Sequence, residues 1–414
     1  MKRFRIFIKG IDMNNNLRKT GYFIALAALT LISGVWLCGC SADNKSAQVD
    51  FFAMDTIMHI TCYGEECEEA VSAAQTEIMR LDALLSTEAE DSEVSRINSA
   101  GGGKLGVDTE ALVRKALLLY ELTDGAYDMT IMPLIRLWGF TTGEYRVPDK
   151  TQLEETKLLC DSGQIELGNG CLTLKEGQGI DFGGLAKGYA SDRLVDIFDS
   201  YKVKAAYFSL GGNVYCYHKK TDGSTWNIAI ENPFARNIDF SIDSAGNIEN
   251  NTNIENTGNM ANKVNSVNTG VTGSNAGKSK IKTGNVPDYL GAVRVYDKAV
   301  VTSGGYERYF TENGRTYHHI IDTATGFPAD SGLVSVTVIS SDAALADGLS
   351  TACFVMGLEK STALWKKYGT GQEYCGQTQV AAFDLVMMSE DGTVYVTKGI
   401  ADSFTSDYET VVLR

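Results

Sequence analysis

Two periods of apolar residues alternate along the chain. Phe51–Tyr63 is an apolar-rich stretch holding Phe-Phe-Ala-Met-Asp-Thr-Ile-Met and is predicted as one strand. In Glu65–Leu85 the apolar positions Ala70, Val71, Ala74, Ile78, Leu81, Leu84 and Leu85 recur at helical spacing. The following stretch to Asn98 is rich in Ser, Asp and Thr and reads as a loop with a short capped turn. A second helix is predicted over Asp108–Thr123, with Asp108 or Thr109 as cap and Asp124-Gly125 as stop. Residues 125–140 are apolar but irregular, 148–160 read as a third helix, and 164–175 read as a hairpin around Gly168-Asn-Gly170. A helix over 185–200 follows. Strands are predicted at Ala205–Leu210, Trp226–Glu231, Gly291–Tyr296, Val300–Thr302, Tyr317–Ile321 and Val334–Ile339, and the last feeds a helix from Asp342 to Met356. Strands and helices interleaved with hairpins indicate a mixed α+β fold.

Two segments break the pattern. Residues 236–287 are Asn, Ser, Gly and Thr with no period, and cannot offset their ordering entropy by burial. They read as a low-complexity, disordered insertion within one domain spanning 51–410. At the other end, scattered Lys and Arg precede an apolar run from Tyr22 to Leu37 and the sequence Leu37-Cys-Gly-Cys40. A basic region, a short apolar run and small residues before a cysteine describe an export signal over 1–39. Leu-Cys-Gly-Cys resembles a bacterial lipobox with Cys40 as the lipidated residue, and a single membrane-spanning anchor is the alternative. Residues 40–50 then form a polar tether, and the start stands at Met1 or Met13.

Composition narrows the partners. The formal charge is −15, and −20 without residues 1–39, which disfavours a nucleic-acid partner. An anionic ligand then needs local devices: a helix end, a lysine or a metal. Of nine cysteines, Cys38 and Cys40 belong to the signal; the other seven show neither C-x-x-C nor zinc spacing, though Cys62 and Cys67 could pair.

Ile180–Asp192 is where a strand breaks into Gly183-Gly184 and then opens a helix at Ala186-Lys187-Gly188. Glycines admit a close backbone approach, and a helix N-terminus with a lysine suits phosphate. The plainer reading is a strand–turn–helix corner with an exposed lysine. Asp347 and Thr351 stand at i and i+4 on one helix face, a carboxylate and a hydroxyl able to ligate a hard cation; ordinary helix N-terminal chemistry is the alternative. His318 and His319 are adjacent, so in a strand only one faces a site, with Asp322 close in sequence. A surface histidine pair would look the same. Ser303-Gly304-Gly305 reads as a tight turn, and Leu210-Gly-Gly-Asn213 as another strand ending in glycines.

In order, the motifs Met54-Asp-Thr56, Leu85-Ser-Thr, Ser92-Glu-Val-Ser-Arg-Ile-Asn98, Gly125-Ala-Tyr-Asp-Met-Thr130, Pro133-Leu134, Leu137-Trp-Gly-Phe140, Asp181–Asp192, Leu210–Asn213, Thr302-Ser-Gly304 with Tyr306-Glu-Arg308, His319-Ile-Ile-Asp322 and Ala346–Thr351 resemble the FAD:protein FMN transferases, the ApbE-like flavin transferases. The resemblance covers roughly residues 50–400, apart from the Asn-rich insertion. It implies an α+β fold of mainly antiparallel sheets with packed helices (T-fold-like), the FAD site lying in a cleft. It implies an Mg²⁺-dependent enzyme in which a Thr or Ser hydroxyl of an acceptor flavoprotein attacks the FMN phosphorus of FAD and AMP leaves. By motif position it marks Asp347, Thr351 and the Gly184 carbonyl as magnesium ligands. Met54, Ser86, Thr87, Glu88, Asp128, Asp181, Lys187 and Ser350 become FAD contacts. His319 becomes the base, with Asp322 beside it. The implied setting is the outer face of a bacterial cytoplasmic membrane, with a subunit of a membrane redox complex as acceptor. Three positions depart from the family's pattern: Gly305 in place of an acid, Thr323 in place of a proline and Glu88 in place of an aromatic. FAD hydrolysis to FMN and AMP, or FAD binding without chemistry, are the alternatives.

Overall fold

The computed structural model describes residues 45–235, 240–242, 248–250, 287–374 and 378–414. The segment read as an export signal, with Cys40, and most of the stretch read as an insertion lie outside them. Within the insertion, Phe240–Ile242 and Ile248–Asn250 form a short antiparallel ladder.

A nine-stranded sheet organises the rest: β1 (Ser46–Ala53), β2 (Thr56–Tyr63), β3 (Ala205–Leu210), β4 (Asn213–Tyr217), β5 (Lys298–Gly304), β6 (Leu333–Ser340), β7 (Phe383–Ser389), β8 (Val394–Thr397) and β9 (Thr410–Leu413), side by side in that order. Every neighbouring pair is antiparallel except β8 with β9. The expected α+β class with mainly antiparallel pairing is what the chain adopts.

The strand period sorts residues between the two faces. On β2, Met58, Ile60 and Cys62 are fully buried against the helices. Those helices are α1 (Cys67–Leu85), α2 (Glu93–Ala100), α3 (Val107–Leu122), α4 (Met132–Trp138), α5 (Lys150–Lys157), α6 (Ala186–Ser200) and α7 (Ala343–Tyr368), of which α1, α3, α6 and α7 supply most of that core. Val300, Ile339, Val386 and Val396 face the other way. They are covered by a small sheet of Trp226–Glu231, Tyr289–Val295 and Phe404–Thr405. A strand covered on both faces carries no charge, and β6 is such a run, with Ser335 and Thr337 buried among its valines.

The N-terminal strand is not one strand. It is the β1–β2 hairpin, reversed at Met54 and Asp55, both at positive φ (47° and 59°). A two-residue turn of that hand matches the strand twist. The usual Gly is missing from it, so the apolar pattern runs across the turn unmarked. β1 also starts at Ser46, inside the segment read as tether. The segment read as the strand Tyr317–Ile321 is the end of a hairpin, Tyr309–Glu312 with Arg315–His318. The last helix continues past Met356 to Tyr368 through a break at Gly357, where φ is 76°. Cys62, Cys67, Cys160, Cys171, Cys216 and Cys353 are free, so the possible Cys62–Cys67 bridge is not formed. No helix among the described residues is long and apolar enough to cross a membrane.

Candidate active site

The site forms where α6 and α7, distant in sequence, cross. Gly188, in the first turn of α6, permits the crossing. A Cβ there would lie 2.3 Å from the Ala343 carbonyl oxygen and 2.7 Å from Asp347 Cβ. The first N–H groups of a helix have no partner within it. One of these, Gly188 N–H, donates to Asp347 Oδ2 at 2.9 Å. One turn along α7, Thr351 meets the loop before α6: a Cβ on Gly184 would sit 3.2 Å from Thr351 Oγ1 and 3.4 Å from the Tyr127 ring. The three residues expected to hold a metal therefore converge.

Asp347 is buried, and desolvation raises its pKa; Lys187 and the Gly188 N–H oppose the shift. Among the described residues no group of three or more His, Cys, Asp or Glu gathers as a metal nest. The donors expected here are one carboxylate, one hydroxyl and the Gly184 carbonyl. That set suits a hard cation whose other positions are taken by water and phosphate oxygens, as magnesium prefers. Asn213, buried at the turn between β3 and β4, faces Asp347, yet its Nδ2 makes no hydrogen bond of ordinary geometry. A buried donor without a partner is rare in a finished interior, and marks polar lining that a ligand or its water completes.

His319 enters from the end of the 315–318 strand. Its Nδ1 contacts the Arg308 carbonyl oxygen at 3.2 Å. A carbonyl only accepts, so Nδ1 carries the hydrogen and Nε2 keeps its lone pair. Burial, then the Arg308 guanidinium and His318, lower the imidazole pKa to about 3. Lys187 acts electrostatically on both His319 and Asp347. The ring is thus neutral at neutral pH and oriented to accept a proton at Nε2.

The remaining expected residues fall into two groups. Asp181 lines the site: burial raises its pKa against the Gly183 N–H (2.6 Å), Arg308 and Arg136, and it feels Glu88. The Glu88 charge therefore reaches the Asp181 carboxylate. Ser86 Oγ accepts the Glu88 and Ala89 N–H groups, so that hydroxyl braces the loop, while Thr87 reaches only Glu88. Met54, in its left-handed turn, donates its N–H to Asp82 of α1 at 3.0 Å. Ser350 and Asp128 are internal. Ser350 Oγ, fully buried, donates to the Asp347 carbonyl oxygen at 2.8 Å and contacts Ser303 Oγ at 2.7 Å. The Asp128 carboxylate accepts from Thr130 N–H, Thr130 Oγ1 and Ser162 Oγ. Asp322 does not orient His319. It accepts the Ala324 N–H at 2.9 Å and its carbonyl closes the turn to Gly326, because the strand has already ended at His318. The Arg308 carbonyl does the orienting instead.

Four contributors were not assigned from sequence. Ser303 is part of β5, not a turn, and its hydroxyl bridges Ser350 and Thr351 (2.7 and 3.3 Å). Arg308 positions His319 and pairs with Asp55 at 3.6 Å. Tyr127 packs on Gly184, and Asn213 faces Asp347. All four lay inside motifs whose neighbours were chosen, Arg308 at the end of Tyr306-Glu-Arg308.

Comparison with known proteins places this arrangement. The chain matches the ApbE family over residues 54–275 and 268–375. A Treponema pallidum FAD:protein FMN transferase is 29% identical over 361 residues, covering 82% of this chain and 86% of that one. The ApbE protein of Thermotoga maritima superposes with a TM-score of 0.67 at 27% identity, over 86% of this chain and 98% of that one. The Pseudomonas stutzeri flavinyl transferase ApbE gives 0.65 at 26% identity, over 87% and 97%. With a family match over most of its length and its motif residues gathered at one helix crossing, this chain belongs to the ApbE family.

Proposed function

We propose that this protein transfers the FMN moiety of FAD to a Thr or Ser hydroxyl of an acceptor flavoprotein, with release of AMP. The observation that carries the reading is the meeting of Gly184, Asp347 and Thr351 at the α6–α7 crossing, with Lys187 acting on both Asp347 and a neutral His319. In the proposed step the acceptor oxygen bonds to the FMN phosphorus. The P–O bond to AMP breaks with its electrons going to the AMP phosphate, and the hydroxyl proton passes to His319 Nε2. Lys187 would offset phosphate charge. Asp347, Thr351 and the Gly184 carbonyl would hold Mg²⁺. Such an ion, when bound, supplies charge neutralisation at the pyrophosphate. With a single carboxylate among its donors, the site depends on FAD phosphates to complete the coordination. Asp181, Glu88 and the Met54 turn would frame the flavin nucleotide.

The sequence of the first forty residues supports an exported protein, lipid-anchored through Cys40 on the outer face of the cytoplasmic membrane. The acceptor is then a flavin-carrying subunit of a redox complex in that compartment.

The test is incubation with FAD, Mg²⁺ and a candidate acceptor domain, read by intact-mass spectrometry. A gain of one FMN on the acceptor supports the proposal. Free FMN and AMP without modified acceptor would make the enzyme an FAD hydrolase, and unchanged FAD would make it a binder.

A further inference from the structure

The N-terminus of α7 is capped from another helix. Asp192 stands four residues after Gly188 on α6, hence on the same face. Its Oδ1 accepts the Ala343 N–H at 2.8 Å and its Oδ2 accepts the Ala344 N–H at 2.9 Å. The helix's own N-cap, Asp342, takes only the Leu345 N–H at 2.7 Å, while its other oxygen meets Lys115 Nζ of α3 at 2.5 Å. A helix's own N-cap bond satisfies a donor but does not by itself set one helix against another. A carboxylate on the neighbouring helix does both. α6 therefore grips α7 at two levels one turn apart: Asp192 holds residues 343 and 344, and the Gly188 N–H holds Asp347.

We propose that Asp192 is a positioning residue of the active site: its ionised carboxylate fixes the first turn of α7, and so the placement of Asp347 and Thr351 opposite Gly184. This rests on the transferase reading of that site. The groups facing Asp192 are Asp342 on α7, Lys115 on α3 and Tyr215 on β4. Burial first, then the Asp342 charge, raise the Asp192 pKa to about 7, against the two N–H groups and Lys115. Protonation puts a hydrogen on an oxygen that now accepts one of those N–H bonds. The clamp thus has its full grip only when ionised.

The experiment compares wild type with Asp192→Asn, which is isosteric but offers one acceptor oxygen instead of two. Three quantities are read: the Mg²⁺ concentration for half-maximal turnover, the pH profile of kcat, and hydrogen-exchange protection of the 343–345 amides. Asp192→Asn is expected to raise the half-saturating Mg²⁺ about tenfold, within the range for losing a residue that orients a ligand. It should lower protection at 343 and 344, and flatten an acid limb centred near pH 7. A lower melting temperature with unchanged Mg²⁺ response and unchanged pH profile would reduce Asp192 to a structural cap and overturn the proposal. Should that variant fail to fold, Lys115→Met serves. Removing the cation that favours ionised Asp192 should move the acid limb to higher pH, and no movement overturns the proposal. The amide protection of wild type at pH 6 and pH 8 needs no turnover. A clamp that loosens on acidification, in a protein that does not consume FAD, would support Asp192 while the transferase reading fails.

Discussion

Gly188 gives the sharpest test that the α6–α7 crossing builds the site. In Gly188→Ala the new Cβ would lie 2.3 Å from the Ala343 carbonyl oxygen, where side chains essentially never come closer than 3.0 Å. Both atoms belong to helix backbones or their first side-chain carbon, so no rotamer relieves the contact. The helices must part by at least the difference between 2.3 and 3.0 Å, about 0.7 Å. Overpacking of this kind costs roughly 1–3 kcal/mol, and alanine's better helix propensity returns about 0.5–1 kcal/mol. The Gly188 N–H···Asp347 bond lengthens in addition, and hydrogen bonds to a charged group contribute about 1.5–3 kcal/mol when intact. A net loss of roughly 2 kcal/mol follows, which lowers the melting temperature by several degrees and leaves the protein folded. Turnover should fall further than stability: misplacing a reacting arrangement by about 1 Å costs on the order of a hundredfold. The assays are thermal melting and the initial rate of FMN transfer at saturating FAD and Mg²⁺. A variant that loses several degrees yet keeps wild-type turnover would refute the argument, because the crossing would then be structural only.

How much of this was legible beforehand depends on the range of the signal. The helices α1, α3 and α6 announce themselves through local spacing, as does the Asp347/Thr351 pair within one helix. The β1–β2 turn was hidden because Met54 and Asp55 reach positive φ without a glycine, and its anchors are distant in sequence: Asp82 takes the Met54 N–H, Arg308 pairs with Asp55, and β2 lies against β3. β4 was missed since Val214, Tyr215, Cys216 and Tyr217 form an unbroken run, as expected for a strand covered on both faces. In the site, motif position identified residues that the fold does bring together, but not what each side chain does. Asp128 sits in the right motif and spends its carboxylate on Thr130 and Ser162. The partner of His319 is a backbone carbonyl, which has no residue type to read, so Asp322 looked like the natural candidate. The meeting of Gly184 with Thr351 depends on Gly188 having no side chain, a packing fact that becomes visible only when both helices are in place.

Three further outcomes follow from the geometry. Asp347→Ala is expected to abolish Mg²⁺-dependent turnover while circular dichroism and melting show a folded protein; full activity would remove Asp347 from the metal set. Ser303→Ala removes the hydroxyl linking Ser350 and Thr351, and should weaken apparent Mg²⁺ affinity several-fold with kcat less affected, a split that steady-state kinetics reads directly. His319→Gln should lower transfer by about 10²–10⁴-fold at unchanged FAD affinity, the range for losing a general base. The same variant carries a stability test whose sign is fixed by linkage. In an unfolded chain the imidazole titrates near pH 6.5; in the fold burial lowers it to about 3. Between those values the unfolded state binds a proton the folded state does not, so this contribution to stability is present above pH 6.5 and is lost on acidification. Asp192 has the opposite sign. Raised from 3.8 to about 7 by burial and the Asp342 charge, it favours the folded state as a whole at low pH even though protonation there weakens its hold on the 343 and 344 N–H groups, and that contribution is lost as pH rises through 7. His319→Gln deletes the first slope and leaves the second. On going from pH 7.5 to pH 5, without FAD or Mg²⁺, the variant's melting temperature should drop less than that of the wild type, or rise. Equal changes in the two proteins would mean that the His319 ring is solvated, and that Arg308 does not hold it as a neutral proton acceptor beside Lys187 and Asp347.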